Sequence, residues 1–198
     1  MTEAIRVVPA NEASWEDLQA VFGRRGPAAR CWCQRFKLSP GESFGNTPVE
    51  DRAWRLRQQT ECGFADAEDT SGLVAYVEGE PAGWCAVEPR PAYHGLVRVF
   101  RVPWTGRDED RTDDSVWAVT CVRTRAGYRK RGVSRAMVAA SVSFARDRGA
   151  RALEGYPIVT TQVIEEDLHV GTVPTFEAAG FRIVSRPTPR RVVMRIDL

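Results

Sequence analysis

The chain is 198 residues long, 43% hydrophobic and 27% charged, and its net charge is only +2. That length and balance predict one globular domain with its own core; the interspersed charges exclude the basic stripe of a nucleic-acid binder, and no apolar run approaches a membrane span. The opening Met1-Thr2-Glu3-Ala4-Ile5-Arg6 lacks the basic-then-apolar order of an export leader, so a cytoplasmic protein is expected.

Ile5-Arg6-Val7-Val8-Pro9 reads as a first strand. Ser14 is placed to cap a helix in which Trp15, Leu18 and Phe22 share a face, and Gly23-Arg24-Arg25-Gly26-Pro27 ends it. Cys31-Trp32-Cys33 brings two thiols together, but zinc pairs have two or more intervening residues and need a second pair. With Cys62, Cys85 and Cys121 scattered, the five cysteines read as reduced packing thiols, and no metal is expected. Thr47 as N-cap, Pro48 in the first turn and Glu50 completing a capping box predict a helix to about Glu61. Residues 73–77 and 82–87 are β-prone runs around Glu78-Gly79-Glu80-Pro81, which predicts a hairpin. Residues 89–95 read as a loop, 98–102 as another extended piece and 105–114 as a charged turn region.

Next comes an apolar strand, 116–123, and after it Arg129-Lys130-Arg131-Gly132-Val133-Ser134-Arg135, opening a helix that ends near Arg148. Val133, Met137, Ala140 and Phe144 form the helix's apolar stripe, Arg135, Arg146 and Arg148 its other face, and Gly149 its stop. A basic, glycine-containing turn at a helix start offers unpaired N–H groups and the positive end of the helix dipole, which suits a pyrophosphate. A strand near 153–157, a helix leading into Gly180-Phe181, and two β-prone runs (181–185 and 191–196) around Pro187-Thr188-Pro189 complete the chain. No internal repeat or low-complexity tract is present.

Val119-Thr120-Cys121-Val122 followed by Gly127-Tyr128-Arg129-Lys130-Arg131-Gly132-Val133-Ser134 resembles the signature of the GNAT superfamily of acetyl-CoA-dependent N-acetyltransferases: a strand, then [Q/R]-x-x-G-x-[G/A] entering a helix. Ser134 departs from the last position but is small. Leu153-Glu154-Gly155-Tyr156-Pro157 and Phe176-Glu177-Ala178-Ala179-Gly180-Phe181 resemble the family's next strand and its helix-then-GF segment. The resemblance implies an α+β fold of α/β/α layers: one GNAT-like domain over 1–198, with a central, mostly antiparallel, splayed mixed sheet flanked by helices. The signature region would span 116–198 and the acceptor-side elements 1–115. A homodimer through an edge strand is compatible with it.

By that resemblance the chain moves an acetyl group from acetyl-CoA, its co-substrate, to a primary amine of a small molecule or peptide by direct attack in a ternary complex. The cofactor would be held by Val122, Arg123 and Thr124 at the strand end and by Arg129, Lys130, Arg131, Gly132, Val133, Ser134 and Arg135 at the turn. A backbone N–H near Cys121 or Val122 would polarise the thioester. The tyrosine that many relatives use as acid toward the leaving thiolate is replaced by Phe176, and Tyr128 lies in the wrong element for that role. Tyr156 is either a substitute or a buried structural tyrosine. His169 and Glu88 are the candidate catalytic groups, each weighed against a plain structural role; His94 ranks below them. Residues 28–36, with Trp84, Tyr93, Trp104 and Trp117, divide between acceptor pocket and core. A catalytically weak or inactive acyl-CoA sensor is the alternative that Phe176 favours.

Overall fold

The computed structural model describes residues 4–160, 162–163 and 165–198, without the side chains of Glu165 and Glu166; the first three residues, read above for a leader, lie outside it. Among the described residues seven strands form one sheet in the order β1-β2-β3-β4-β5-β7-β6. These are β1 (Ile5–Pro9), β2 (Leu73–Val77), β3 (Glu80–Pro89), β4 (Val116–Thr124), β5 (Ala152–Gly155), β6 (Arg182–Thr188) and β7 (Arg191–Asp197). Every neighbouring pair is antiparallel except β4 and β5.

The central strands are buried on both faces, and the alternation of side chains divides them between two cores. Leu73, Ala75 and Val77 of β2, with Cys85 and Val87 of β3, pack toward α5 (Val133–Asp147). Val74, Tyr76, Trp84 and Ala86 face α1 (Trp15–Phe22) instead. Helices thus cover both faces, as the layered α+β reading requires. The predicted stripe of α5 is seen: Val133, Met137 and Phe144 are buried, with Ala140 packed beside them, while Arg135, Arg146 and Arg148 are exposed. A β-carbon at Gly83 would fall within 2.8 Å of Val133 and Met137, so the helix lies directly on β3.

Ser14 caps α1 as expected, its hydroxyl accepting from the Asp17 N–H at 3.1 Å while the Asp17 carboxylate accepts from the Ser14 N–H at 3.1 Å. The second predicted cap fails. Pro48, not Thr47, precedes α3 (Val49–Thr60), and no side chain caps it. The Thr47 carbonyl is used instead by the buried Arg52 guanidinium, at 2.6 Å. Residues 26–31, left without an element by the sequence reading, form α2 (Gly26–Cys31). The extended piece expected at 98–102 and the loop at 89–95 are also corrected. This stretch holds a 3-10 turn (Arg90–Ala92), α4 (His94–Arg98) and a second 3-10 turn (Val102–Trp104). Leu96 and Trp104 are buried, and the Trp104 indole N–H donates to the Leu96 carbonyl at 2.8 Å, so tertiary packing overrides the β preference of valine and phenylalanine. The last helix is α6 (Val173–Glu177).

Candidate active site

Two backbone features of the basic turn prepare the start of α5. Lys130 (φ 62°) and Gly132 (φ 86°) are both left-handed, a conformation natural only to glycine. A β-carbon on Gly132 would meet nothing nearer than Ile5 Cδ1 at 3.7 Å, so conformation rather than space calls for glycine there. No side chain caps α5. Its first i to i−4 bond runs from the Ala136 N–H to the Gly132 carbonyl at 3.0 Å. The amides before Ala136 therefore have no intrahelical acceptor, and the positive end of the helix dipole opens onto the surface.

A groove of about 240 Å³ runs from this turn along the end of β4. Five of the expected cofactor residues line it: Val122, Arg123, Thr124, Arg129 and Ser134. Leu168, His169, Gly171, Thr172 and Thr175 form the opposite wall. The other expected residues surround the turn rather than the groove. Val133 is 1% exposed and belongs to the core. Arg131 stacks on Tyr128, 5.1 Å from the ring centre, and reaches toward Glu78 at 4.0 Å. Lys130, Gly132 and Arg135 are exposed. Sequence reasoning missed Thr172 and Thr175, although Gly171-Thr172-Val173-Pro174 carries the threonine-before-proline pattern of a helix start.

The groove exists because two strands part. β4 and β5 pair from Val116↔Ala152 to Val119↔Gly155, where their pairing ends. Beyond it β4 continues along β3 alone, to Thr124↔Gly83. The Phe176 ring fills the fork. A β-carbon on Gly155 would lie within 2.8 Å of three ring carbons, and one on Gly171 2.8 Å from Cε2. The ring is fully buried and meets Phe181 edge-on at 5.1 Å.

On β4 the register slips between Ala86↔Cys121 and Val87↔Val119, leaving Thr120 as the extra residue of a bulge. Thr120 and Cys121 border a second cavity, of about 180 Å³. Its walls include Phe22, Ala28, Phe36 and Phe44, and Arg30, Arg35 and Arg123 are its charged lining. Phe44 is held in place by the Arg52 guanidinium, 4.6 Å from its ring centre. Both cavities share Arg123 and His169. His169 is half-buried in the 3-10 turn Glu165–Val170, its ring 6.1 Å from that of Phe36.

The remaining sequence candidates lie elsewhere. Glu88 is ion-paired with Lys37 and accepts from the Ser71 hydroxyl at 2.5 Å, and it lines neither cavity. His94 is exposed at the start of α4, away from both. The Tyr156 hydroxyl donates to Glu154 at 3.0 Å, and burial, with the Glu154 charge, pushes its pKa far up, so the structural alternative holds for it. Trp84, Tyr93, Trp104 and Trp117 are all core. Of the 28–36 stretch, Ala28, Arg30, Cys31, Cys33, Arg35 and Phe36 do face the second cavity. Trp32 instead stacks between Trp15 and Phe22, at 5.4 and 5.0 Å. The neighbouring Cys121 thiol, then the Trp84 indole and the Lys37 charge, hold the Cys33 thiol below its usual range despite burial, while Cys33 and burial push Cys121 well up. Among the described residues no three His, Cys, Asp or Glu side chains gather as a metal site, and no helix is long and apolar enough to cross a membrane.

Two solved structures share this arrangement of strands and helices. An N-acetyltransferase from Staphylococcus aureus Mu50 is 13% identical, with a TM-score of 0.53 over 98% of each chain. A GCN5-related N-acetyltransferase from Kribbella flavida is 16% identical, also with a TM-score of 0.53 over 98% of each chain. At such identities the likeness is one of fold. No curated protein matches the chain significantly. Residues 30–161 match the acetyltransferase (GNAT) family, a span that holds both the β4 bulge and the basic turn and ends before His169 and Phe176. Two-thirds of the sequence and the whole fold thus agree, and the chain belongs to the GNAT acetyltransferase family.

Proposed function

We propose that the protein moves the acetyl group of acetyl-CoA to a primary amine of a small molecule or peptide, by direct attack in a ternary complex. The observation that carries this reading is the meeting of two differently lined cavities at Arg123 and His169. The β4 groove fits the cofactor. Its start offers the α5 amides, Arg129 and Ser134 to a diphosphate, and no carboxylate lines it among the described residues. The free side of residues 120–124 offers main-chain groups to the pantetheine amides.

Acetyl-CoA supplies an activated carbonyl and a thiol leaving group. A backbone N–H at Cys121 or Val122, next to the bulge, polarises that carbonyl. His169, bordering both cavities, takes the proton of the attacking amine. Arg123, at the same junction, stabilises the departing thiolate by charge, a task for which Phe176 has no proton to offer. We assign Glu88 a structural role, because Lys37 and Ser71 already occupy its carboxylate. Holding amine and thioester together contributes about 7–11 kcal/mol in well-oriented cases, enough to leave the acid dispensable.

Titrating acetyl-CoA into the protein, followed by thiol release with a panel of amines, tests the reading. Binding with turnover supports it. Binding without turnover on any amine favours the acyl-CoA sensor, which Phe176 recommends, and absence of binding removes both.

A further inference from the structure

Three of the five cysteines, Cys31, Cys33 and Cys121, line the second cavity, and none of the five is bridged. Cys85 packs in the α5 core on the other face of the sheet, Cys62 follows α3, and neither lines the cavity. A pinned turn places the Cys33 sulfur. Trp32 (φ 46°) and Cys33 (φ 56°) are successive left-handed residues, a conformation that side chains keep only where their surroundings hold it. Here the Gln34 N–H donates to the Cys31 carbonyl at 3.0 Å, and the buried Gln34 side-chain amide donates to the Trp32 carbonyl at 3.3 Å. Cys121 comes from β4, one residue past the Thr120 bulge. Its thiol is the first neighbour of the Cys33 sulfur. The second is the indole N–H of Trp84, fully buried and without a hydrogen bond of ordinary geometry among the described residues. These groups, with the Lys37 charge, favour a thiolate at Cys33, the form that attacks electrophiles, while Cys33 and burial keep Cys121 protonated.

We infer that Cys33 and Cys121 are a reversible redox pair, which a hydroperoxide converts to a disulfide across the second cavity. The Cys33 thiolate attacks one peroxide oxygen. An S–O bond forms as the O–O bond breaks, hydroxide leaves, and the sulfur is oxidised by two electrons to a sulfenic acid. The Cys121 sulfur then attacks that sulfur; its proton leaves with the displaced hydroxyl as water, and an S–S bond joins the two chains. A dithiol returns two electrons and two protons and restores both thiols. The bridge ties the turn after α2 to the strand that carries Arg123, where the cavity meets the cofactor groove. An amine thereby loses its way to the thioester, whereas the groove, which neither cysteine lines, still takes acetyl-CoA.

The bridge is read without any activity, and only the loss of turnover rests on the acetyltransferase reading. Reduced protein is treated with one equivalent of hydrogen peroxide, capped with N-ethylmaleimide and cut with trypsin in the absence of reductant. Peptide 31–35 should be found joined to peptide 112–123 in most chains of the wild type and of Cys31→Ser. The joined pair should be missing from Cys33→Ser, Cys33→Ala and Cys121→Ala, and dithiothreitol should release it. Amine acetylation by the oxidised wild type should fall roughly tenfold and recover with dithiothreitol, with acetyl-CoA affinity unchanged throughout. No bridge, a bridge that persists without Cys33, or a bridge to Cys62 or Cys85 overturns the inference. A bridge that leaves turnover intact overturns its effect on the cavity. If the reduced protein acetylates no amine, the acetyltransferase reading fails and the peptide map still decides the redox pair.

Discussion

Replacing Gly155 with alanine should push the Phe176 ring out of the fork between β4 and β5. The new β-carbon would sit within 2.8 Å of three ring carbons, well inside ordinary contact distance, and Gly155 carries no positive φ that would strain it on its own account. The ring cannot retreat easily, because it is fully buried, close against Gly171 and edge-on to Phe181. Overpacking of this kind costs ~1–3 kcal/mol. Phe176→Ala alone empties a fully buried site and should cost ~3–5 kcal/mol. In the double variant the alanine methyl enters the vacated space, so the cost of Gly155→Ala disappears or changes sign. Urea unfolding of the four proteins, compared at constant m-value, should give a coupling of ~1–3 kcal/mol, less destabilising than the sum. Additivity within ~0.5 kcal/mol would refute the wedge. The cycle also bears on function: if Phe176 only packs, its loss lowers stability far more than it alters acceptor choice.

Gly132→Asp should abolish acetyl-CoA binding measured by calorimetry, because it adds a side chain and a negative charge at the mouth of α5; retained affinity in a folded variant would place the cofactor elsewhere. His169→Gln should flatten the rise of kcat/KM with pH, and an unchanged pH profile would remove His169 from proton transfer. The Glu42 carboxylate is held at about 2 by the Arg55 guanidinium and the Ser39 N–H, which pins the loop carrying Phe44. Because this pKa lies below the ordinary 4.5, the stabilisation is present above pH 4.5 and is lost as pH falls toward 2. Glu42→Gln should therefore unfold at lower urea than the wild type at pH 7, by about 1 kcal/mol for so exposed a pair, with the gap closing between about pH 4.5 and 2. A gap independent of pH would mean that the fork contributes nothing.

The strands and α5 were legible because periodicity reports which face is buried. The basic turn was legible because glycine, charge and a helix start coincide within seven residues. The second cavity was only half visible. Aromatic residues near Cys31 were flagged, yet the walls also use Phe22 and Phe44, from separate elements, while four flagged aromatics went to the core. Composition says that an aromatic side chain will be buried, not whether against protein or ligand. Thr47 failed as a cap for a related reason: Arg52 recruits its carbonyl, a contact that local pattern does not encode. In the sequence Phe176 stands out only as a missing tyrosine; that its ring packs against two glycines, Gly155 in β5 and Gly171 ahead of α6, only the folded chain reveals.

The fork has a further consequence for how the protein avoids its own kind. Unpaired strand backbone templates foreign strands, and sheets usually guard it with charge or proline. Both outer strands follow that rule: β1 carries Arg6 and Pro9, and β6 carries Arg182, Arg186 and Pro187. The backbone left open at residues 120–124 has a different guard. It lies inside the sheet, with β3 on one side and the turn at Glu165–Val170 packed against β4. β3 and that turn stand in the way of a second chain pairing along these five residues. Depth thus does for the inner opening what arginine and proline do for the rims, and a hydrogen-bonding site stays available without becoming a seed for aggregation.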